Sequence, residues 1–226
     1  LASRTGAPVF LENDVQAGTL GELRGGALRG RRNAAAIFVG TGIGGGVVLD
    51  GKLYRGSTGS AGEVGHLILQ DGGALCGCGR RGCLEALASR TAMARDAVAA
   101  ASSGKAPVLH KHAGTDFRKY RSSAFARSVE AGEKEIQRIV ERSAYWLGVG
   151  AACLAAILNP EAVVLGGGMV ARFPALYRDE ARKSLKDHLI PTLEVELLVT
   201  ELGDLAVPLG AAWAAREGLE TGKAGT

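Results

Sequence analysis

Three of the four cysteines lie close together in a segment that has almost no apolar side chains to bury. Cys76, Cys78 and Cys83 stand among glycines and arginines in the stretch LCGCGRRGC. Packing alone cannot fix such a segment, so we expect a bond or a ligand to hold it. This cluster is the strongest constraint that the sequence places on the fold.

The spacing of the cysteines favours a metal site. Cys76 and Cys78 are separated by one residue, and glycines let the loop turn so that Cys83 reaches the same ion. The nearest histidine, His66, is the expected fourth ligand of a structural zinc site. Three thiolates favour zinc over magnesium or calcium. A disulfide or free reactive thiols are the alternatives, and four ligands would leave no open position for water.

Composition excludes several classes of protein. The 226 residues contain 46% hydrophobic and 5% aromatic residues and carry a net charge of +4. No apolar run is long enough for a membrane span, and no secretory signal is present. Few cysteines and no signal indicate a reducing compartment, so we expect a cytoplasmic protein. So few aromatic residues argue against a stacking surface for single-stranded nucleic acid.

Glycine is the residue that stands out, with 34 copies. The glycines cluster at 40–46, 56–65, 72–82 and 166–168 with irregular spacing. Glycine is used where the backbone turns at positive φ or approaches a ligand closely. Several clusters of this kind predict an enzyme whose ligand-binding loops are lined by backbone.

Hydrophobic patterns predict an α/β layered domain. Asn13 or Asp14 can cap the first predicted helix, and Asp50-Gly51 is a hairpin signal. Strands are predicted at 7–11, 34–39, 46–50, 52–55, 66–70, 162–165 and 194–199. Helices are predicted at 15–24, 84–101, 122–131, 133–158, 174–188 and 208–218, with a loop at 102–121.

Six segments together resemble the ROK family of bacterial sugar kinases and sugar-responsive repressors. They are LENDVQAG (11–18), GTGIGGGVVLDGKLYRG (40–56), SAGEVGH (60–66), CGCGRRGCLEALAS (76–89), NPEAVVLGGG (159–168) and LGAA (209–212). The resemblance implies an actin-like ATPase domain of the ribonuclease H-like type, with a mixed sheet flanked by helices and a zinc-bound loop.

The resemblance also implies roles for single residues. Asp14 would be the catalytic base, although on its own it could be only a helix cap. Sugar hydroxyls would be bound by Asn13, Glu63, His66 and Glu85. ATP with magnesium would lie on the hairpin of Gly40, Thr41, Gly42, Gly44 and Gly45 and on the loop of Gly166, Gly167 and Gly168. The zinc ligands would be His66, Cys76, Cys78 and Cys83.

One departure from the family pattern concerns domain organisation. The first phosphate loop of the family, D-x-G-x-T, is not found, so residues 1–218 are expected to be the large C-terminal lobe without its small partner lobe. The helix at 208–218, with Leu209, Ala212 and Trp213, is expected to pack on that lobe, and 219–226 to be a flexible tail. Without the small lobe, we expect no kinase activity.

Three functions remain open at this point. The leading one is a glucokinase-like transfer of the ATP γ-phosphate to a hexose or N-acetylhexosamine, with a homodimer as the expected assembly. The second is the sugar-sensing domain of a repressor, which would bind nucleic acid only through an upstream helix-turn-helix. The third is an inactive fragment that binds sugar or only zinc.

Overall fold

One mixed sheet of five strands forms the centre of the computed structural model, which describes residues 2–221. The strands are β1 (Ala34–Val39), β2 (Ile43–Leu49), β3 (Lys52–Tyr54), β4 (Ala162–Gly166) and β5 (Glu196–Val199). Their order across the sheet is β3-β2-β1-β4-β5. The pairs β1/β2 and β2/β3 are antiparallel, whereas β1/β4 and β4/β5 are parallel. The three strands predicted between 34 and 55 therefore form an antiparallel meander, and the predicted hairpin at Asp50-Gly51 is confirmed, with positive φ at both residues.

Ten helices surround the sheet within residues 2–221, and short 3-10 turns lie at Val64–His66, Phe117–Lys119 and Gly203–Leu205. The helices are α1 (Ala2–Thr5), α2 (Asp14–Gly25), α3 (Leu84–Ala88), α4 (Arg90–Ser102), α5 (Pro107–Ala113), α6 (Ser122–Glu130), α7 (Lys134–Leu158), α8 (Gly168–Arg172), α9 (Pro174–His188) and α10 (Ala206–Thr221). None of these helices combines the length and the hydropathy needed to cross a membrane.

Alternating side chains of the central strands enter two hydrophobic clusters on opposite faces of the sheet. Ile37 of β1 and Leu165 of β4 belong to the larger cluster, which also contains buried residues of α7 and α9. Ala36 and Val164 belong to the smaller cluster, together with residues of α2 and α10. Because side chains of a strand point alternately to the two faces, the sheet is covered by helices on both sides. The predicted mixed sheet flanked by helices is confirmed.

Helices α2 and α10 cross with their backbones almost in contact. A Cβ atom added to Gly210 would lie 1.7 Å from the carbonyl oxygen of Ala17, and one added to Gly21 would lie 2.1 Å from that of Ala206. Only glycine permits this approach, because any side chain would overlap a backbone atom. On the same helix Leu209 and Trp213 are half-buried and Ala212 is exposed. Packing of α10 on a further lobe stays a prediction.

Several predicted element boundaries are wrong. Residues 7–11 form no strand, and 66–70 contribute only a 3-10 turn and an isolated bridge between Ile68 and Cys83. The predicted loop at 102–121 contains α5, and the helix predicted at 84–101 is divided at Ser89 into α3 and α4. Helix α10 continues to Thr221, so 219–221 are not a tail, whereas 222–226 lie outside the described residues.

Parallel pairing places two glycine turns side by side. Strand β1 leads into Gly40, and β4 ends at Gly166, opposite Phe38 of β1. Since β1 and β4 are parallel neighbours, both turns lie at the same edge of the sheet. In α/β sheets ligands bind outside the carboxyl ends of the strands, so this edge is where a site is expected.

Candidate active site

An open cleft of about 620 Å³ lies at this edge of the sheet. The residues predicted for the site that line it are Asn13, Asp14, Gly40, Thr41, Gly42, Gly44, Gly45, Glu63, Glu85 and Gly167. Besides the three cysteines, three other predicted residues do not line it. Gly166 is buried at the end of β4, Gly168 begins α8, and His66 lies beside the cysteines.

The first turn of α2 brings Asn13 and Asp14 to one wall of the cleft. Asn13 is the N-cap: its side-chain oxygen accepts from the N–H groups of Val15 at 2.9 Å and Gln16 at 3.1 Å. Asp14 is exposed at the first helical position, where the aligned peptide dipoles stabilise a negative charge. The residues that precede α2 are irregular and do not form the strand predicted at 7–11. The exposed Asp14 carboxylate is accessible from the cleft.

The turn after β1 is held by the first residues of α4. The carbonyl oxygen of Gly40 accepts from the N–H of Arg90 at 3.1 Å, and that of Thr41 accepts from the N–H of Thr91 at 3.3 Å. The Thr91 hydroxyl adds a 2.7 Å bond to the Thr41 carbonyl. Because C=O and N–H point in opposite directions in a trans peptide, the N–H groups of Thr41 and Gly42 face away from α4. Backbone N–H groups presented in this way suit phosphate oxygens.

A smaller pocket of about 360 Å³ borders Thr41 on the side away from α2. Its charged lining residues are Arg90, Arg118 and Arg121, and no carboxylate lines it. The Arg90 guanidinium donates to the Thr41 hydroxyl at 2.5 Å, while Arg118 is paired with Asp116. The positive charge beside the glycine turn therefore favours an anionic ligand.

The segment 55–63, here called the 55–63 loop, forms the wall of the cleft beyond β2. Gly62 packs against Gly45 so closely that a Cβ added to Gly62 would lie 2.6 Å from the carbonyl oxygen of Gly45. Gly62 also has a φ of +91°, a conformation that side chains disfavour. Both properties require glycine at this position. The loop thereby brings Glu63 to the cleft.

The four predicted metal ligands converge. Their ligand atoms all lie within 4.8 Å of one another. Cys76 Sγ lies 3.6 Å from His66 Nδ1, and Cys78 Sγ lies 3.7 Å from Cys83 Sγ. A tetrahedral zinc ion with ordinary bond lengths separates two thiolates by about 3.8 Å and a thiolate from an imidazole nitrogen by about 3.6 Å. Donor set and spacing therefore fit a metal ion of this kind.

The three thiols lie in different electrostatic environments. Burial raises the pKa of the Cys76 thiol to about 12 and also raises that of Cys83. Hydrogen bonds from the backbone and side chain of Arg80 lower the pKa of the exposed Cys78 thiol to about 6. A bound metal cation would keep all three deprotonated, since coordinated thiols lose their protons. The cation would lower the pKa most where burial has raised it, at the Cys76 and Cys83 thiols.

Two side chains connect the cysteine cluster with the cleft. His66 directs Nδ1 to Cys76, and its Nε2 lies 3.9 Å from a carboxylate oxygen of Glu63. Glu85 follows Cys83 on the first turn of α3, and its Oε2 accepts from the N–H of Ile43 at 3.0 Å. The other oxygen, Oε1, lies 3.6 Å from Cys76 Sγ. The cluster of His66 and the three cysteines therefore lies beside two carboxylates of the cleft.

Sequence reasoning missed part of the lining. The additional residues are Val15, Gln16, Phe38, Ile43, Val207 and the backbone of 59–62. Ser60 to Gly62 belong to a family-like segment, so that signal was available. Gln16 also belongs to a family-like segment, LENDVQAG, but no role was assigned to it. Val207 carries no local signal, because only the tertiary fold brings the start of α10 to the cleft.

Comparison with known proteins agrees with the geometry. The ROK family profile matches residues 1–217. A glucokinase of Halalkalibacterium halodurans is 35% identical over 228 residues, which cover 96% of this chain and 66% of that protein. A Bacillus spizizenii xylose repressor is 30% identical over 90% of this chain and 49% of its own length.

A solved structure extends the similarity to the fold. The ROK family glucokinase from Streptomyces griseus, in complex with glucose and AMPPNP, matches with a TM-score of 0.86 at 35% identity. The match covers 96% of this chain and 71% of that one. The chain thus spans about two thirds of the length of the glucokinases it matches. Motifs, fold and profile agree, and the chain belongs to the ROK family.

Proposed function

We propose that the protein is an ATP-dependent sugar kinase that transfers the γ-phosphoryl group to a hydroxyl of a hexose or N-acetylhexosamine. The observation that carries this proposal is that an exposed carboxylate, Asp14, shares one cleft with the N–H groups of the Gly40–Gly42 turn. Phosphoryl transfer depends on positioning and charge stabilisation, and this cleft offers both an acceptor for the proton and donors for phosphate. The similarity to named glucokinases supports glucose as the first substrate to test.

In this proposal Asp14 is the general base. Its carboxylate accepts the proton of the attacking sugar hydroxyl, and the cleft gives it direct access to a bound sugar. Asn13 keeps its amide nitrogen available for a sugar hydroxyl, since its oxygen is engaged by the helix N–H groups. Glu63 and Glu85 also line the cleft and accept from further hydroxyls.

The phosphoryl donor occupies the glycine side of the cleft. The turn of Gly40, Thr41 and Gly42 binds its phosphates, and Gly167 approaches it from the end of β4. The arginine-lined pocket beside Thr41 adds positive charge on this side. Magnesium, bound with the nucleotide, would supply neutralisation of the phosphate charge.

Zinc is proposed as the structural metal of His66, Cys76, Cys78 and Cys83. Three thiolates and one imidazole are a common structural zinc set, and all four positions of the tetrahedron are taken by protein. The chemistry that zinc supplies here is cross-linking of the loop that carries Glu85. A cytoplasmic location and a homodimer complete the proposal and are independent of this site.

The decisive test of the kinase is the Asp14→Asn variant of a protein that also carries the small lobe, since we expect residues 1–226 alone to show no turnover. This change keeps the size of the side chain and a hydrogen-bonding oxygen but removes the base, so we expect the turnover number to fall by about 10²–10⁴-fold. The affinity for glucose, measured by calorimetry, should change much less. A coupled assay of glucose-dependent ADP release provides the measurement, and turnover at the parental rate would show that Asp14 is not the base.

The second candidate is a sugar-sensing domain of a repressor, which the 30% identity to the xylose repressor supports. The same titrations separate the two functions. With the small lobe present, glucose or xylose binding without any sugar-dependent ADP release would favour the sensor, whereas ADP release that depends on Asp14 would favour the kinase.

A further inference from the structure

Gln16 is a buried polar residue that the proposed chemistry does not use. It is 4% exposed, it lies two residues after Asp14 on α2, and it lines the cleft. Its Nε2 atom donates to the carbonyl oxygens of Gly59 at 2.9 Å and Ala61 at 3.1 Å. One side chain therefore joins the helix that carries the proposed base to the 55–63 loop.

The 55–63 loop has few other means of holding its shape. Its sequence, RGSTGSAGE, contains no large apolar side chain, and residues 57–60 are exposed. At its beginning Arg55 donates to Glu12 at 2.8 Å from Nε, and the Arg55 carbonyl accepts from the N–H of Ala61 at 3.0 Å. Segments with few buried apolar contacts open locally at low free-energy cost. The two bonds from Gln16 are therefore a large part of what orders this wall of the cleft.

We propose that Gln16 is a positioning residue for sugar recognition: it fixes the 55–63 loop relative to α2, so that Ser60 and Glu63 contact the same sugar that Asp14 deprotonates. The inference rests on the proposed function, because it assigns this wall to the sugar. It adds a residue that contacts neither reacting group and acts through the loop.

The chemistry of the side chain matters for this role. An amide supplies two N–H donors for two carbonyl oxygens and cannot lose a proton. Gln16→Met keeps the length of the side chain and removes both donors, which leaves the two carbonyl oxygens without this partner. We expect the KM for glucose to rise about tenfold, a change that corresponds to about 1.4 kcal/mol. The turnover number and the KM for ATP should change much less, since only binding to the sugar wall is weakened.

A second measurement reports directly on the local stability of the 55–63 loop. Amide hydrogen exchange of residues 56–62 should become faster in Gln16→Met, while exchange in β1 and β4 stays at the parental rate. Gln137→Met is the matched control, because Gln137 is exposed on α7 and its side-chain amide donates to Glu141 on the same helix. Arg55→Gln removes the ion pair with Glu12, the other side-chain contact described for this loop. In the double variant, the increase in the free energy that corresponds to KM should be smaller than the sum of the increases in the two single variants, since both changes loosen the same loop.

The outcomes separate this inference from the proposed function. Unchanged exchange at 56–62 in Gln16→Met, or a KM for glucose equal to that of the parent, refutes the role of Gln16. Equal increases in the KM for glucose and for ATP also refute it, because they indicate a general loss of structure. A parent protein that neither binds nor phosphorylates glucose or another hexose refutes the proposed function itself, and the exchange result then reports only whether Gln16 orders the loop.

Discussion

A single methyl group at the crossing of α2 and α10 should impair the enzyme from outside the cleft. In Gly210→Ala the new Cβ atom would lie 1.7 Å from the carbonyl oxygen of Ala17, whereas Cβ atoms in proteins essentially never come within 3.0 Å of another heavy atom. The oxygen belongs to the backbone of α2 and cannot rotate away. The two helices must therefore separate by about 1.3 Å, the difference between those distances.

The displacement reaches the proposed base because Asp14 lies three residues before Ala17 on the same helix. A misplacement of about 1 Å at a reacting group can cost about 10²-fold in rate. Overpacking of this kind typically costs about 1–3 kcal/mol of stability. We therefore expect Gly210→Ala to lower kcat/KM for glucose about 100-fold and to lower the melting temperature.

The experiment compares glucose-dependent ADP release and thermal unfolding of the parent with those of two variants, all with the small lobe present. Gly25→Ala is the matched control on α2, since its Cβ would meet only a terminal methyl of Leu209 at 3.1 Å, which can move. We expect this control to retain most of the activity. A folded Gly210→Ala protein with parental kcat/KM would refute the argument that the crossing positions Asp14.

Two further predictions concern the metal and the pH dependence of stability. Metal analysis should find about one zinc per chain. The Cys78→Ser variant should have a lower melting temperature and faster amide exchange in 70–82. A disulfide between two of the cysteines, without bound metal, would contradict this prediction. Hydrogen bonds from the backbone N–H groups of Asn33 and Arg32 lower the pKa of Glu161. Their contribution is therefore present above the unfolded pKa of about 4.3 and lost as the pH falls through the lower folded value. Glu161→Gln should lower the melting temperature at pH 7 but hardly at pH 2, and an equal loss at both would contradict the assignment.

Patterns that depend on local sequence could be predicted. Helix α7 was predicted at 133–158 and observed at Lys134–Leu158, because Ile136, Val140 and Leu147 repeat at helical spacing along its buried face. The Asp50-Gly51 turn followed from the preference of these residues for positive φ. The convergence of the three cysteines could also be predicted from the sequence, since few residues separate them.

Features that depend on distant partners could not be predicted. Segment 66–70 has the composition of a strand, yet the N–H groups of Leu69 and Gln70 both donate to the carbonyl oxygen of Gly82 in the cysteine loop. It pairs with that loop and not with the sheet. Helix α5 begins at Pro107, and its N–H groups at Val108 and Leu109 are capped by the carboxylate of Glu133, far along the chain. No local window contains that partner.

The position of Glu85 between the cysteine cluster and the glycine turn predicts that binding of the proposed metal and binding of the proposed sugar are thermodynamically linked. One carboxylate oxygen accepts from the N–H of Ile43, and the other lies against Cys76 Sγ. Coupling between two binding equilibria is reciprocal: a metal that orders Glu85 strengthens the binding of a ligand that uses it, and that ligand strengthens the binding of the metal by the same factor. With the proposed roles of zinc and Glu85, we expect removal of zinc to lower the affinity for sugar, and bound sugar to raise the affinity for the metal.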